Sequence, residues 1–330
     1  MSAHLTITKP GISAITDLGR TRGGRVGQLT GGALDQYSAK VANTLVAAPE
    51  TAPLLEIVAL DFAAVTSTDL LVAVTGAPAD ITVQGVPMPQ WEPFLWPART
   101  ELAVTGMRVG VRVYIAVHGT VEAPNLLGSC APDSVLGFSG PLQRGDRVGV
   151  RPDTLLLDHQ YFGIPVFRVG APVPTFGERW TIPVTDGPDR DQFGASAGRL
   201  CRGTFTVGPN SNHIGLRLSP GKGAALPVRE ASGEILSRGV PIGAVEVPAG
   251  NELLVLHRGR GVTAGYPVLA VVTSVGLSRL GQARPGQSVT FVRTSVADAV
   301  AEARAQQLQI DRLRQRLSAV LETHGLRPAS

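Results

Sequence analysis

The sequence predicts a mainly β protein, with two barrel-like domains in tandem and one long amphipathic helix at the C-terminal end. Three observations lead there. Short β-branched runs recur between Gly and Pro breaks, two similar turn-and-strand endings close two halves, and the last segment switches to helical periodicity.

Taken in order, the first element is a helix. Ala39, Val41, Ala42, Leu45 and Val46 fall on one face, and Pro49 stops it. Strands follow. Leu70 to Thr75 ends at Gly76, Ile81 to Val83 ends at Gln84-Gly85, Leu102 to Val104 precedes Gly106, and Val111 to Val117 runs into His118-Gly119. Such regular spacing belongs to a sandwich or barrel. Arg144-Gly145-Asp146-Arg147-Val148 and Arg284-Pro285-Gly286-Gln287-Ser288-Val289 each read as a turn feeding a closing strand. The expected spans are 1–160 and 161–294 for the two domains, with a Pro-rich linker over Gly163 to Pro183, and 295–330 for the helical tail. In that tail Ser295 to Asp298 resembles a capping box, and Val296, Ala303, Ile310 and Leu317 recur every seven residues. Gly325 is placed to end the helix. It either docks on its own barrel, the reading favoured by the interruption at Gln306-Gln307, or forms a short coiled coil with another subunit.

Composition narrows the function classes. With 330 residues, 43% of them hydrophobic and 17% charged, the chain can bury two cores. The net charge, 30 − 26 = +4, comes without basic runs interleaved with aromatics, which argues against nucleic-acid binding. Cys130 and Cys201 have no companion at metal or redox spacing and read as reduced thiols. The six histidines show no metal spacing, so no metal is expected. The first residues lack a charged-then-apolar leader, and no apolar run reaches the ~20 residues of a membrane span. A cytoplasmic location is therefore expected, with no membrane partner.

Several motifs fail in context. Gly194-Ala195-Ser196-Ala197-Gly198 matches GxSxG, but the polar run Asp189 to Gln192 before it cannot be the buried strand that motif needs. Pro220-Gly221-Lys222-Gly223 lacks the P-loop frame. Gly259-Arg260-Gly261, with Arg258 beside it, either lets backbone approach an anion or is a hairpin turn. The chain has no biotin-accepting lysine motif.

The opening Pro10-Gly11-Ile12-Ser13-Ala14-Ile15-Thr16-Asp17-Leu18-Gly19-Arg20 resembles the PGxxTxxQDxGR start of the allophanate-hydrolase-subunit-2 family. Gly31 to Asp35, Ala42 to Val46, Leu54-Leu55-Glu56, Val74 to Ala77, Ala116 to Gly119 and Leu127-Gly128-Ser129 follow in the family's order. So do Gly187-Pro188, Ser211 to Leu218, Ser237 to Gly243 and Thr263 to Pro267. The resemblance covers roughly residues 5 to 292. It implies two tandem cyclophilin-like β-barrels and an allophanate hydrolase subunit 1-like partner. Such pairs occur in 5-oxoprolinase, which opens 5-oxoproline to glutamate with ATP, in biotin-dependent urea carboxylation, and as antagonists of a sporulation-kinase inhibitor. A lactam-hydrolase-type subunit would complete the first; biotin would ride on a separate carrier in the second. A non-catalytic ligand-binding partner is the third reading. Departures cluster in polar positions. The family's S-E-G-V reads Ser237-Arg238-Gly239-Val240, its G-S-R-S-T reads Gly128-Ser129-Cys130-Ala131-Pro132, and Gly259 and Gly261 stand where Asp and Gln are usual.

Under this resemblance the catalytic candidates are Asp17, Glu56 and His118, and the substrate-binding ones Arg20, Asp35, Ser129, His213, Arg217 and Tyr266. Asp17 and Arg20 are an acid and an anion clamp, or an ion pair securing a loop. Asp35 caps a helix or acts in catalysis. Glu56 either points into a pocket, where burial would raise its pKa, or lies exposed on a strand. His118 carries protons near neutral pH or is an idle loop residue. Arg217, alternating with Leu216 and Leu218, holds a substrate carboxylate or faces water. Restoring the family acid at position 238 is expected to be neutral or helpful.

Overall fold

The computed structural model describes residues 3–153, 168–231, 235–248 and 250–323. The expected 160/161 boundary, the first residues of the linker and the Gly325 stop lie outside the described residues. The chain contains strands β1 (His4–Lys9), β2 (Ile12–Thr16), helix α1 (Gln36–Leu45), β3 (Leu54–Val58), β4 (Phe62–Thr66), β5 (Leu70–Gly76) and β6 (Asp80–Val83). Then come β7 (Val86–Pro87), β8 (Pro93–Trp96), β9 (Glu101–Thr105), β10 (Arg112–Val117), β11 (Gly119–Val121) and β12 (Arg147–Pro152). The second half holds β13 (Arg179–Asp186), α2 (Arg199–Arg202), β14 (Thr204–Val207), β15 (Gly215–Pro220), β16 (Arg238–Gly239) and β17 (Ala244–Glu246). It ends with β18 (Leu253–Leu256), β19 (Thr263–Ala264), β20 (Val268–Val272), α3 (Ser274–Leu280), β21 (Ser288–Arg293) and α4 (Val296–Thr323).

Two compact units result. One comprises Met1–Gly19, Gln36–Phe176 and Gln307–Ser330; the other, Arg20–Asp35 and Gly177–Gln306. The sequence predicts three contiguous spans, whereas these units interleave. The physical reason is long-range bonding: Gly31 N–H donates to Arg258 O at 2.9 Å and Gln282 Nε2 to Asp35 Oδ2 at 2.8 Å, which ties the early segment to the second unit.

In the first unit a seven-stranded sheet, β11-β12-β1-β4-β9-β6-β7, and a five-stranded sheet, β2-β3-β10-β5-β8, share one core. Alternation supplies the inner face: Leu5 and Ile7, Leu102 and Val104, Val148 and Val150 all point in. Strands β5 and β10 are buried along their whole length because α1 covers their second face, where Thr75 Oγ1 donates to Ser38 O at 2.7 Å. Gly76 ends β5 with φ +95; a Cβ there would meet Arg112 O at 2.3 Å. Helix α1 ends at Leu45, one residue short of the expected Val46 and four before Pro49, and its end is tied by Asn43 Nδ2 donating to Glu50 O and Ala52 O.

The second unit is a closed barrel, β13-β20-β17-β18-β15-β14-β21. Its interior is filled by Trp180, Phe205, Leu218, Val255 and Phe291, and the indole N–H of Trp180 donates to Gln287 Oε1 at 2.8 Å. The two expected closing strands exist, and each pairs with the first strand of its unit. β12 meets β1 antiparallel, whereas β21 meets β13 in parallel.

Helix α4 is capped as expected, with Asp298 N–H donating to Ser295 Oγ at 3.0 Å. Its seven-residue stripe is buried only in its later half, through Ile310, Leu313, Leu317 and Leu321; Val296 and Val300 are exposed. The residues from Gln307 onward belong to the first unit, where Gln307 Nε2 donates to Glu50 Oε1 at 3.0 Å and Arg316 Nε to Val169 O at 3.1 Å. That half docks on the first unit rather than on the barrel preceding it in sequence. No helix among the described residues is long and apolar enough to cross a membrane.

Candidate functional site

The feature with the strongest chemical character lies in the second unit and centres on Glu246. It ends β17, between Val245 and Val247, where the pairing with β20 slips register. Such an irregularity re-aims the side chain. Glu246 shares its face with its partners Leu254 and Val268, which belong to a small apolar cluster with Val240, Ala244 and Leu256. The side chain is 1% exposed and its Oε1 has no hydrogen-bond partner. Loss of hydration pushes its pKa from 4.5 up to about 7. A carboxyl half ionised near neutral pH can both take and give a proton.

Next to it in the chain, Val247 and Pro248 line an open cleft of about 910 Å³ together with Arg199, Arg229, Ile235, Asn251 and Tyr266. That volume suits a small metabolite. Arg199 Nη1 donates to Leu226 O at 3.1 Å and Arg229 Nε to Gln192 Oε1 at 2.7 Å, which fixes two cations at the rim. Loops 225–229 and 265–267 form the walls, with Pro227, Pro248 and Pro267 stiffening them.

Of the catalytic and substrate-binding candidates named from the sequence, only Tyr266 is among the residues lining this cleft. Asp17 and Ser129 meet in the first unit. Asp17 Oδ1 accepts from Ser129 Oγ at 2.6 Å and from Gly19 N–H at 2.7 Å, and Oδ2 accepts from Cys130 N–H at 2.8 Å. Ser129 Oγ also accepts from Ala131 N–H at 3.0 Å, so this hydroxyl both donates and accepts within the loop. Glu56 lies on β3, half-buried, accepting from Tyr114 Oη at 2.8 Å with Arg112 Nε at 3.5 Å. His118 is buried after β10. Its Nδ1 is 2.7 Å from Val46 O, a carbonyl that can only accept, so Nδ1 carries the proton and Nε2 faces Asp153 at 4.0 Å.

The remaining candidates belong to the second unit. Arg20 is 0% exposed, with its N–H on Thr30 O at 2.7 Å. Asp35 stands immediately before α1 and accepts from Gln282. Arg217 faces outward from β15 and pairs with Glu252, while His213 is exposed and abuts Gly259. Ser196 exchanges hydrogen bonds with the backbone of Val228, a wall-fixing task. No cluster of metal-ligating side chains occurs among the described residues.

Sequence reasoning missed Glu246, Arg199 and Arg229. The available signal for Glu246 was an acid between two valines on a short β run. Arg199 opens the four-residue helix α2 and Arg229 sits in an irregular segment, and neither stretch has a periodicity to flag it.

Residues 26–293 match the family model described as carboxyltransferase domain, subdomain A and B. The chain is 29% identical over 296 residues to a 5-oxoprolinase subunit of Escherichia coli, covering 87% of this chain and 89% of that protein. It is 26% identical to urea amidolyase of Saccharomyces cerevisiae over 88% of this chain, which spans 17% of that relative. The solved Kluyveromyces lactis urea carboxylase shares the fold, with a TM-score of 0.82 at 24% identity, over 94% of this chain and 29% of that one.

Proposed function

This chain belongs to the carboxyltransferase-domain family, subdomains A and B, and from that premise we propose that it is a subunit of a 5-oxoprolinase-type enzyme. In this reading it works with a subunit-1-type partner and a lactam-hydrolase-type subunit to open 5-oxoproline to glutamate at the expense of ATP. The supporting observation is the co-linear similarity to a 5-oxoprolinase subunit over nearly nine-tenths of both chains.

Opening a lactam adds water across its C–N bond, the hydroxyl going to the carbonyl carbon and a proton to the nitrogen. Glu246 has the acidity to move that proton at neutral pH. The rim cations Arg199 and Arg229 suit a substrate carboxylate. ATP is assigned to the complex; in the Pro220–Gly223 turn of this chain the Gly221 N–H is already given to Thr204 O at 2.8 Å.

The alternative, a subunit moving a carboxyl group from biotin on a separate carrier to urea or an amide, draws on the family description and the urea amidolyase relatives. Co-expression with a subunit-1-type partner and a lactam-hydrolase-type subunit, followed by phosphate release with and without 5-oxoproline, separates the two. Release that depends on 5-oxoproline supports the proposal. Its absence, with the carboxyl group of N-carboxybiotin passing to a urea nitrogen and biotin released instead, sinks it. No turnover in either assay leaves a ligand-binding subunit.

A further inference from the structure

We propose that Arg260 is the recognition group of an oxyanion site in the second unit, one that takes the carboxylate or phosphate group of a small molecule. The residue is 9% exposed, and its Nε and Nη1 lie inside the protein without a hydrogen-bond partner. Other arginines of this unit have acids beside them: Arg190 and Arg293 use Asp186, Arg217 uses Glu252, Arg238 uses Asp189 and Arg279 uses Glu302. Among the described residues Arg260 has none. A buried guanidinium with two idle donors is unfavourable until an anion meets it. Burial alone already pulls its pKa below the usual arginine value.

The loop around it is held still. Arg260 N–H donates to His257 O at 3.1 Å, Gly259 N–H to His213 O at 2.9 Å, and Gly31 N–H to Arg258 O at 2.9 Å. His257 is no counter-ion. Arg258 N–H donates to its Nδ1 at 2.9 Å, so its proton sits on Nε2, 3.1 Å from Leu277 O, and the ring is neutral. Gly259 is required where it stands, since a Cβ would meet His213 Cδ2 at 2.3 Å, whereas a Cβ on Gly261 would touch only Thr263 O at 3.6 Å. Gly259 and Gly261 also occupy the positions where the related motif carries Asp and Gln. Neither neighbour of Arg260 in the chain therefore carries an acid or an amide. Burial this deep favours a small ion over the carboxylate of a partner's surface.

The test uses the full-length chain in low-salt buffer, titrated calorimetrically with inorganic phosphate and, separately, with 5-oxoproline. Saturable binding of either supports the site, and which one binds identifies the group as phosphoryl or carboxylate. Arg260→Gln should weaken that binding at least about tenfold, and Arg260→Lys less, because the charge remains while the fork is lost. Without added anion, Arg260→Gln should melt no lower than the wild type. The proposal is overturned if neither anion binds the wild type, if Arg260→Gln binds as tightly, or if that variant melts lower before any anion is added. Binding is read without turnover, so the 5-oxoprolinase reading can fail while this site stands.

Discussion

Asp17 and Ser129, 112 positions apart in the sequence, are joined by a 2.6 Å hydrogen bond in which the hydroxyl donates to the carboxylate. The same carboxylate takes the N–H groups of Gly19 and Cys130, so one buried side chain fixes two loops. Removing it leaves three donors without a partner. Asp17→Ala should destabilise the protein by about 3 kcal/mol in urea denaturation, and Ser129→Ala by about 1–2 kcal/mol. Unchanged midpoints in both variants would mean that this knot holds nothing together.

Glu246 gives stability a specific pH dependence. Below its ordinary value of 4.5 the carboxyl is protonated in both folded and unfolded chains, and pH has no purchase on it. Between 4.5 and about 7 the unfolded chain releases the proton while the folded one keeps it, so stability falls as pH rises. The full loss, up to about 3 kcal/mol, is reached above the folded value. Glu246→Gln abolishes the ionisation. The variant should melt higher than the wild type near pH 8 and about level with it near pH 4. Equal melting at both values would place the carboxylate in water. If the glutamate moves the catalytic proton, the same variant loses turnover while gaining stability.

Much of this architecture is written locally. Runs such as Leu70 to Thr75 and Ile81 to Val83, stopped by Gly76 and Gly85, give strands with boundaries close to those observed. The capping serine and seven-residue stripe give α4. What local patterns do not carry is the partner of each element. Nothing near residues 20–35 signals that Gly31 will bond to Arg258, so the interleaving of the units is invisible in the sequence. Glu246 suffers likewise. Alternation puts it on the opposite face from Val245, which on most barrels faces water, and its burial comes from the small apolar cluster that gathers over that face. Arg217 shows the ordinary outcome for the same pattern, exposed and paired with Glu252.

Arg238 reverses the expectation that restoring the family acid is harmless. The guanidinium pairs with Asp189, a buried carboxylate that also accepts from Val268 N–H at 2.8 Å and from Gln192 Nε2 at 3.1 Å. Arg238→Glu would set a second carboxylate against it and leave the first without its counter-charge. A loss of about 2 kcal/mol or more is expected, since one partner of the pair is buried. Arg238→Lys, which keeps the charge, should lose less than half as much. Thermal melts of the two variants decide this, and a Glu variant as stable as wild type would show that Asp189 does not depend on Arg238.

The last prediction concerns α4, whose two halves should respond differently. Leu313 is 0% exposed and packs in the first unit with Ile310, Leu317 and Leu321. Around it Arg314 pairs with Glu50, and Lys40 Nζ lies 3.2 Å from the same carboxylate. Leu313→Ala removes buried methyl groups from this apolar stripe. Its cost should be about 2–4 kcal/mol, as for other buried leucines. Val300, on the half that precedes Gln307, is exposed. Val300→Ala should change stability by less than about 0.5 kcal/mol, the range of ordinary surface substitutions. Hydrogen exchange adds the spatial readout: with Leu313→Ala, amides 308–320 should exchange faster, together with those around Glu50, while strands of the barrel keep their protection. If Val300→Ala costs as much as Leu313→Ala, the earlier half of the helix is covered in solution, and another chain is covering it.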